Sequence, residues 1–354
     1  MTARTSLLLQ LDGKLPNLAL MRLSAFLKQH GNEVEFRRIS SALMLEQGLF
    51  DDAWEGVYAS LIFERTRPIA RRLREIYPSA VIGGTGWDLT TQLADIGVTT
   101  TDLDYSLYPR YSHSIGFSQR GCRLRCPFCV VPVKEGAISE EHPINEIWRG
   151  DPYPRNVLLL DNDFFGARHW PDRIDELRKG DFRVCFSQGI NARLLDDEMA
   201  SALASVRYFD DDFQCRRIYT AWDNKKDEAR LFAGLNALVK HGVKPREIMV
   251  YMLIGYWPGE THEDRDYRRR TLREFGCLPY PMPYQRSREL VGFQRWVVRR
   301  ADLRMSWEEY SRALQAGTSC PRRGELPVRN SSVKFGWATP APWMVSKLSR
   351  KSRR

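Results

Sequence analysis

Between residues 114 and 284 the sequence alternates short apolar runs with longer polar-faced stretches, and few folds accept that rhythm. Runs at 114–119, 156–162, 182–187, 217–222, 248–255 and 278–284 read as strands, the last interrupted by prolines. The stretches 144–148, 170–178, 196–203, 226–241 and 260–275 read as helices. Pro171 suits a first helical turn, Asp196 a cap, and Gly242 and Gly276 close their helices. Strands this apolar are buried on both faces, as in a parallel barrel, where chemistry sits at the carboxyl ends of the strands.

A smaller series precedes it. The leucine-rich run 6–12 ends in the turn signal Asp12-Gly13, a helix spans 16–30, and strands are expected at 33–39, 54–63 and 79–82, with a basic helix over 65–77. Strands alternating with helices predict a small, open, mostly parallel α/β sheet. Ligands of such sheets bind beyond the carboxyl ends of the strands. Asp12-Gly13-Lys14 and Gly83-Gly84-Thr85-Gly86 would lie there, although the glycines are equally explained by the backbone freedom a turn needs.

The first strand of the longer series delivers Gly121-Cys122-Arg123-Leu124-Arg125-Cys126-Pro127-Phe128-Cys129. Three of the seven cysteines fall here at Cys-x3-Cys-x2-Cys spacing, and none precedes them. Iron–sulfur clusters are held by cysteine thiolates, usually four. Three on one loop leave one iron open to a substrate or cofactor. The competing reading is a structural zinc site completed by His113 or Cys185. Zinc sites pair their first cysteines with a second pair further on, and Cys185, Cys215, Cys277 and Cys320 stand apart.

Cys122, Cys126 and Cys129, with the aromatic Phe128, resemble the signature of the radical S-adenosylmethionine (radical SAM) enzymes. The resemblance covers roughly residues 111 to 300 and implies a partial (β/α)6 barrel of the TIM type. It implies three thiolates on a [4Fe–4S] cluster, with S-adenosyl-L-methionine (SAM) on the fourth iron. Reductive cleavage then yields a 5′-deoxyadenosyl radical, driven by an electron donor such as flavodoxin or ferredoxin. Phe128 would lie near the adenine. Asp161 and Asn162 stand where the family commonly has Gly-Gly-Glu facing the methionyl amino group, with Asp163 as an alternative. Gln188, Asn191 and Arg193 correspond to residues against the SAM ribose and carboxylate, and Asp223 ends the fourth strand, either facing SAM or capping a helix. Ile254-Gly255 and Glu260 partly match a fifth-strand element flanking adenine, with Met252 in place of a glycine. No catalytic residue can be named.

The first series looks like the cobalamin-binding, Rossmann-like domain in front of one radical SAM subgroup. The loop after its first strand lacks the cobalt-ligating histidine, so bound cobalamin, and with it cobalamin-dependent methyl transfer, stays open. Methylthiotransferases need three further amino-terminal cysteines, and there are none. The expected organisation is a Rossmann-like domain over 1–104, the barrel over 105–300 and a helix plus basic extension over 301–354, with 102–111 as an extended crossover between the first two.

A balance of 54 Lys and Arg against 44 Asp and Glu fits an anionic partner. After Gly317 basic residues interleave with Trp337 and Trp343, which suits phosphate and stacked bases and equally suits a solubilising tail. Hence the substrate expected is a nucleobase or nucleic-acid-linked group carrying an unactivated carbon. The reading from another class is a non-catalytic, metal-containing nucleic-acid-binding protein. Cysteine usage predicts a reducing cytoplasm, and no run approaches the ~20 apolar residues of a membrane span. His113, His142, His169 and His262 are assigned no chemistry, and Arg268-Arg269-Arg270 reads as an exposed helix face.

Overall fold

The computed structural model of the chain describes residues 4–41, 43–46, 54–140 and 142–316. The basic stretch after Gly317 lies outside them. The described residues form an α/β fold with parallel sheets, divided into two compact units. The first holds the chain up to His113 together with Leu124–Ala137; the second holds Ser114–Arg123 and the described chain from Ile138 onward.

In the first unit, β1 (Arg4–Gln10), β2 (Asn32–Arg38), β3 (Gly56–Ser60) and β4 (Val81–Gly83) form a parallel sheet in the order β2-β1-β3-β4. Successive side chains of a strand point to opposite faces. Leu7 and Leu9 therefore enter one apolar cluster with Val57, Ala59, Leu73 and Ile82, while Leu8 enters another with Leu20, Met21 and Leu27. Helix α1 (Leu18–Gln29) begins two residues later than expected, because Asn17 is its cap, its side chain accepting from Leu20 N at 3.2 Å. Helix α2 (Arg67–Ile76) carries Ala70 and Leu73 onto the sheet. Residues 105–108, expected as an extended crossover, instead turn back onto this unit: Leu107 and Tyr108 share the cluster of Leu8, and the Tyr108 hydroxyl donates to Gln10 Oε1 and accepts from Asn17 N.

Gly84 and Gly86 are required by close backbone approach. A Cβ on Gly84 would lie 2.2 Å from Leu61 O, and one on Gly86 2.6 Å from the Phe63 backbone. Both glycines therefore serve the packing of one strand-end loop on another.

The second unit carries β5 (Ser114–Gly116), β8 (Asn156–Leu159), β9 (Arg183–Phe186) and β10 (Arg207–Tyr208) in the order β10-β9-β8-β5, all parallel. A second parallel sheet has β11 (Ile218–Ala221), β12 (Ile248–Ile254) and β13 (Leu278–Pro283) in the order β11-β12-β13. Ile190 N donates to Tyr219 O at 2.7 Å, linking the loop after β9 to β11. β13 keeps Pro279, Pro281 and Pro283 because only one of its sides is paired, to β12. The short β10 and the antiparallel pair β6 (Gln119–Arg120) with β7 (Ser139–Glu140) had no signal strong enough to read.

Helices α3 (Trp170–Lys179), α4 (Asp197–Ser205), α5 (Glu228–Lys240), α6 (His262–Phe275), α7 (Arg288–Val298) and α8 (Trp307–Gln315) complete the unit. One apolar cluster joins both sheets to them, with Val157, Val184, Ile218 and Val250 from the strands and Leu177, Leu203, Leu235, Leu272 and Phe293 from helices.

The arginine run on α6 is not an exposed face. Arg268 and Arg269 are buried and only Arg270 is exposed. The reason is local pairing: Arg269 meets Asp266 and Asp302 and lies over the Trp296 ring, and Arg268 pairs with Glu260.

Candidate functional site

The cysteine loop leaves β5 through Phe117 and Ser118, passes β6, and reaches Gly121, Cys122 and Arg123 in the second unit. Gly121 sits in left-handed backbone (φ +76°), where glycine is least strained. The remainder of the loop belongs to the first unit. There Cys129 N donates to Cys126 O at 3.0 Å, Phe128 is buried, and Lys134, ending the one-turn helix Val131–Lys134, donates to Thr85 Oγ1 at 2.6 Å. All three cysteines are half-buried. Among the described residues no three His, Cys, Asp or Glu side chains are gathered into a metal-holding group. What the loop supplies is the donor set itself: three soft sulfur ligands within eight residues, which suits an iron–sulfur cluster.

Facing the start of that loop is the segment after β8. Leu160 N continues the β5–β8 ladder to Gly116 O at 2.9 Å. Asp161, buried, accepts from Ser118 N at 2.8 Å and from the Ser118 hydroxyl. Desolvation pushes its carboxyl up to about 7, against the lowering effect of those bonds. Asn162 N donates to Gln119 Oε1 at 3.2 Å. Gln119 Nε2 donates in turn to Asp163 O at 3.0 Å and Gly121 O at 3.3 Å. Asp163 grips Arg123 with both oxygens, from Nε at 2.8 Å and Nη2 at 3.1 Å, and also accepts from Arg123 N. Thus Asp161, Asn162 and Asp163 follow the end of β8 and bond to residues 118–123, while the Asp163 carbonyl also accepts from Gly166 N at 2.7 Å.

After β9, Gln188, Asn191 and Arg193 are half-buried around Gly189. Gln188 Nε2 donates to Ser187 Oγ, and Arg193 donates from Nε to Asn191 Oδ1 (3.1 Å) and from Nη1 to Asp227 Oδ2 (2.6 Å). Asp223, just past β11, is buried, and its Oδ1 has no hydrogen-bond partner among the described residues. Burial pushes its carboxyl up to about 6, opposed by the positive charges of Arg193 and Arg268. The Asp223 side chain caps no helix: Asn224 does so for the turn that follows. Ile254 is an apolar core side chain, and its carbonyl accepts from Tyr284 N at 2.9 Å.

Glu260 is locked in place. Its Oε2 accepts from Gly255 N and its Oε1 pairs with Arg268. Arg268 also donates to Trp222 O (2.8 Å) and Leu253 O (3.0 Å), so one guanidinium ties together the ends of β11 and β12.

A profile of the Radical SAM superfamily matches residues 117–270. Those residues form a radical SAM domain. The match spans the cysteine loop, β8, β9, β11 and β12, and the polar residues at their ends. Such a domain implies an enzyme working by radical SAM chemistry, and the superfamily typically binds a [4Fe–4S] cluster and SAM and needs a reductant. No curated protein and no solved structure matches the chain. Among the described residues no helix is long and apolar enough to cross a membrane.

Sequence reasoning overlooked Gln119, Arg123, Asp227 and Arg268. Arg123 could have been suspected as a charged residue inside the cysteine spacer with two carboxylates following the next strand. Arg268 could not, since one arginine of three on a helix carries no mark of burial.

Proposed function

We propose that this protein is a radical SAM enzyme that modifies an unactivated carbon of a nucleobase or nucleic-acid-linked substrate. The observation that carries the reading is the Cys-x3-Cys-x2-Cys triplet inside the stretch matched by the superfamily profile. Cys122, Cys126 and Cys129 would hold the [4Fe–4S] cluster, and Phe128 would flank the adenine of SAM. Arg193, steadied by Asp227 and Asn191, offers a guanidinium to the methionyl carboxylate. Gln188 and Asn191 suit the ribose, Ile254 the adenine, and Asp223 has a buried oxygen, without a partner among the described residues, to offer SAM or substrate. Bound there, cluster and SAM would supply reductive cleavage of the sulfonium, given one electron from an external reductant, to methionine and a 5′-deoxyadenosyl radical. The chain's own residues orient these groups and exclude water.

We read β5, β8, β9, β11, β12 and β13 as the six strands of one partial (β/α)6 barrel, with the two-residue β10 an addition beside β9. The shared apolar cluster and the Ile190–Tyr219 bond support that reading. The strand order β2-β1-β3-β4 supports a Rossmann-like amino-terminal domain. Cobalamin is a different matter, because the residues do not fit it. The crevice expected to take a ligand lies where β1 and β3 diverge. Asp12 bridges it, accepting from Ile62 N (2.7 Å) and Phe63 N (2.9 Å). Gln10 Nε2 pins the loop to itself through Asp12 O, Gly13 O and Leu15 O, and Arg38 adds a bond to Lys14 O. The loop 12–17 carries no histidine to ligate cobalt, so we favour cobalamin-free chemistry.

Anaerobic reconstitution with iron and sulfide, then dithionite and SAM, tests the reading by the 5′-deoxyadenosine formed. Production that disappears in Cys126→Ala is expected. A protein that takes up zinc and never forms an iron–sulfur chromophore overturns it. For the substrate class, truncation after Gly317 should weaken nucleic-acid binding and its salt dependence; no change in either removes that part.

A further inference from the structure

The segment after β8 is built as a clamp on the cysteine loop. The Asp161 carboxylate, the Asn162 backbone N–H, the Asp163 carbonyl and both Asp163 carboxylate oxygens all bond to residues between Ser118 and Arg123. Gln119, fully buried, links Asn162 N, Asp163 O and Gly121 O with one side chain. Asp163 is nearly as buried, and its grip on Arg123 has the planar two-bond geometry that makes carboxylate–guanidinium pairs strong and directional. Space for that carboxylate is reserved by Gly166, where a Cβ would come within 2.4 Å of Asp163 Oδ2 and of Ile138 Cδ1.

We propose that Asp163 is a positioning residue of the cysteine loop: through Arg123 it sets the backbone that presents Cys122, and it does not bind SAM. This rests on the cluster-holding role proposed for the loop and deepens it. Arg123 follows Cys122 directly, so fixing the guanidinium and Arg123 N from one carboxylate fixes the peptide that carries the first ligand. The Gln119 bond to Gly121 O fixes the residue on the other side of Cys122. The segment standing where the family's methionyl-amino contact is expected is thus committed to holding the loop.

The test uses the full chain in its metal-free form first. Asp163→Asn, Asp163→Ala and Arg123→Lys are treated with iodoacetamide, and Cys122 alkylation is followed by mass spectrometry against Cys215 as internal reference. Loss of the charge-assisted hydrogen bonds opens the local structure, so Cys122 should react roughly tenfold faster in each variant. The double variant Asp163→Asn with Arg123→Lys should react no faster than the singles, because both break one interaction. Iron content after reconstitution should fall in step, while KM for SAM of the loaded fraction stays unchanged. Unchanged Cys122 reactivity and iron content, with a raised KM for SAM, would make Asp163 a SAM ligand and overturn the proposal. Wild-type protein that binds no iron would sink the cluster reading alone, since the alkylation comparison still decides whether the clamp exists. Should Asp163→Ala fail to fold, the near-isosteric Asp163→Asn carries the test.

Discussion

Asp223 shows how one residue couples stability to function. Its folded carboxyl is pushed from 3.8 up to about 6 by burial. The folded state therefore holds a proton that the unfolded chain has lost across that window, and stability falls as pH rises from about 4 to 6. Asp223→Asn lacks this term. Urea denaturation should show the variant gaining on wild type through that window, by up to about 3 kcal/mol, with a constant gap above it. Asp161 titrates in the same direction, up to about 7, in both proteins, so the comparison isolates Asp223. If Asp223 serves SAM or substrate, the more stable variant should also be the less active one.

At the scale of elements, the fold relies on a few side chains that tie strand ends together. Arg268→Met should cost about 3–5 kcal/mol in urea denaturation, because it leaves Glu260 buried without its counter-charge. Replacing Glu260 by Leu as well should recover only part of the loss. The Trp222 and Leu253 carbonyls would still lack the donor that Arg268 provides. Gly84→Ala should destabilise the first unit by about 1–3 kcal/mol, since its φ of +99° and the nearby Leu61 carbonyl both reject a Cβ. Thermal unfolding followed through the Trp54 and Trp87 fluorescence of that unit would read it. These ties explain where sequence reading stops. The strands β1, β8, β9, β11 and β12 are visible as apolar runs because both faces of each are covered. β10 and the β6–β7 pair are two residues long in each strand, too short for any period to show.

For the whole molecule, a formal charge of +10 bears on partners and not on fold. A single-stranded nucleic-acid substrate should bind with a slope of log K against log salt of about −2.8 or steeper, as four or more neutralised phosphates require. A flat dependence in a fluorescence-anisotropy titration would remove nucleic acid from consideration and leave a free nucleotide or small molecule. Hydroxocobalamin added during refolding should not remain with the protein through gel filtration, given the crevice bridged by Asp12. Stoichiometric retention would reopen methyl transfer.

By itself the sequence determined the donor set and the class of fold. Cysteine spacing is a covalent property, and runs of apolar residues declare burial whatever surrounds them. It also placed Asp161, Gln188, Arg193 and Asp223 at strand ends, since a strand's end is marked by where its apolar run stops. What each of them does there was decided only in three dimensions. Asp161 and Asp163 face residues 118–123, across more than 35 positions of chain, and that pairing exists because β5 and β8 are neighbours in one sheet. Arg268 changes from a surface charge to a buried tie because α6 lies over the ends of β11 and β12. A side chain's chemistry is written in its identity, but its partners come from the packing of elements far apart in the chain, and hydrogen bonds and ion pairs depend on those partners.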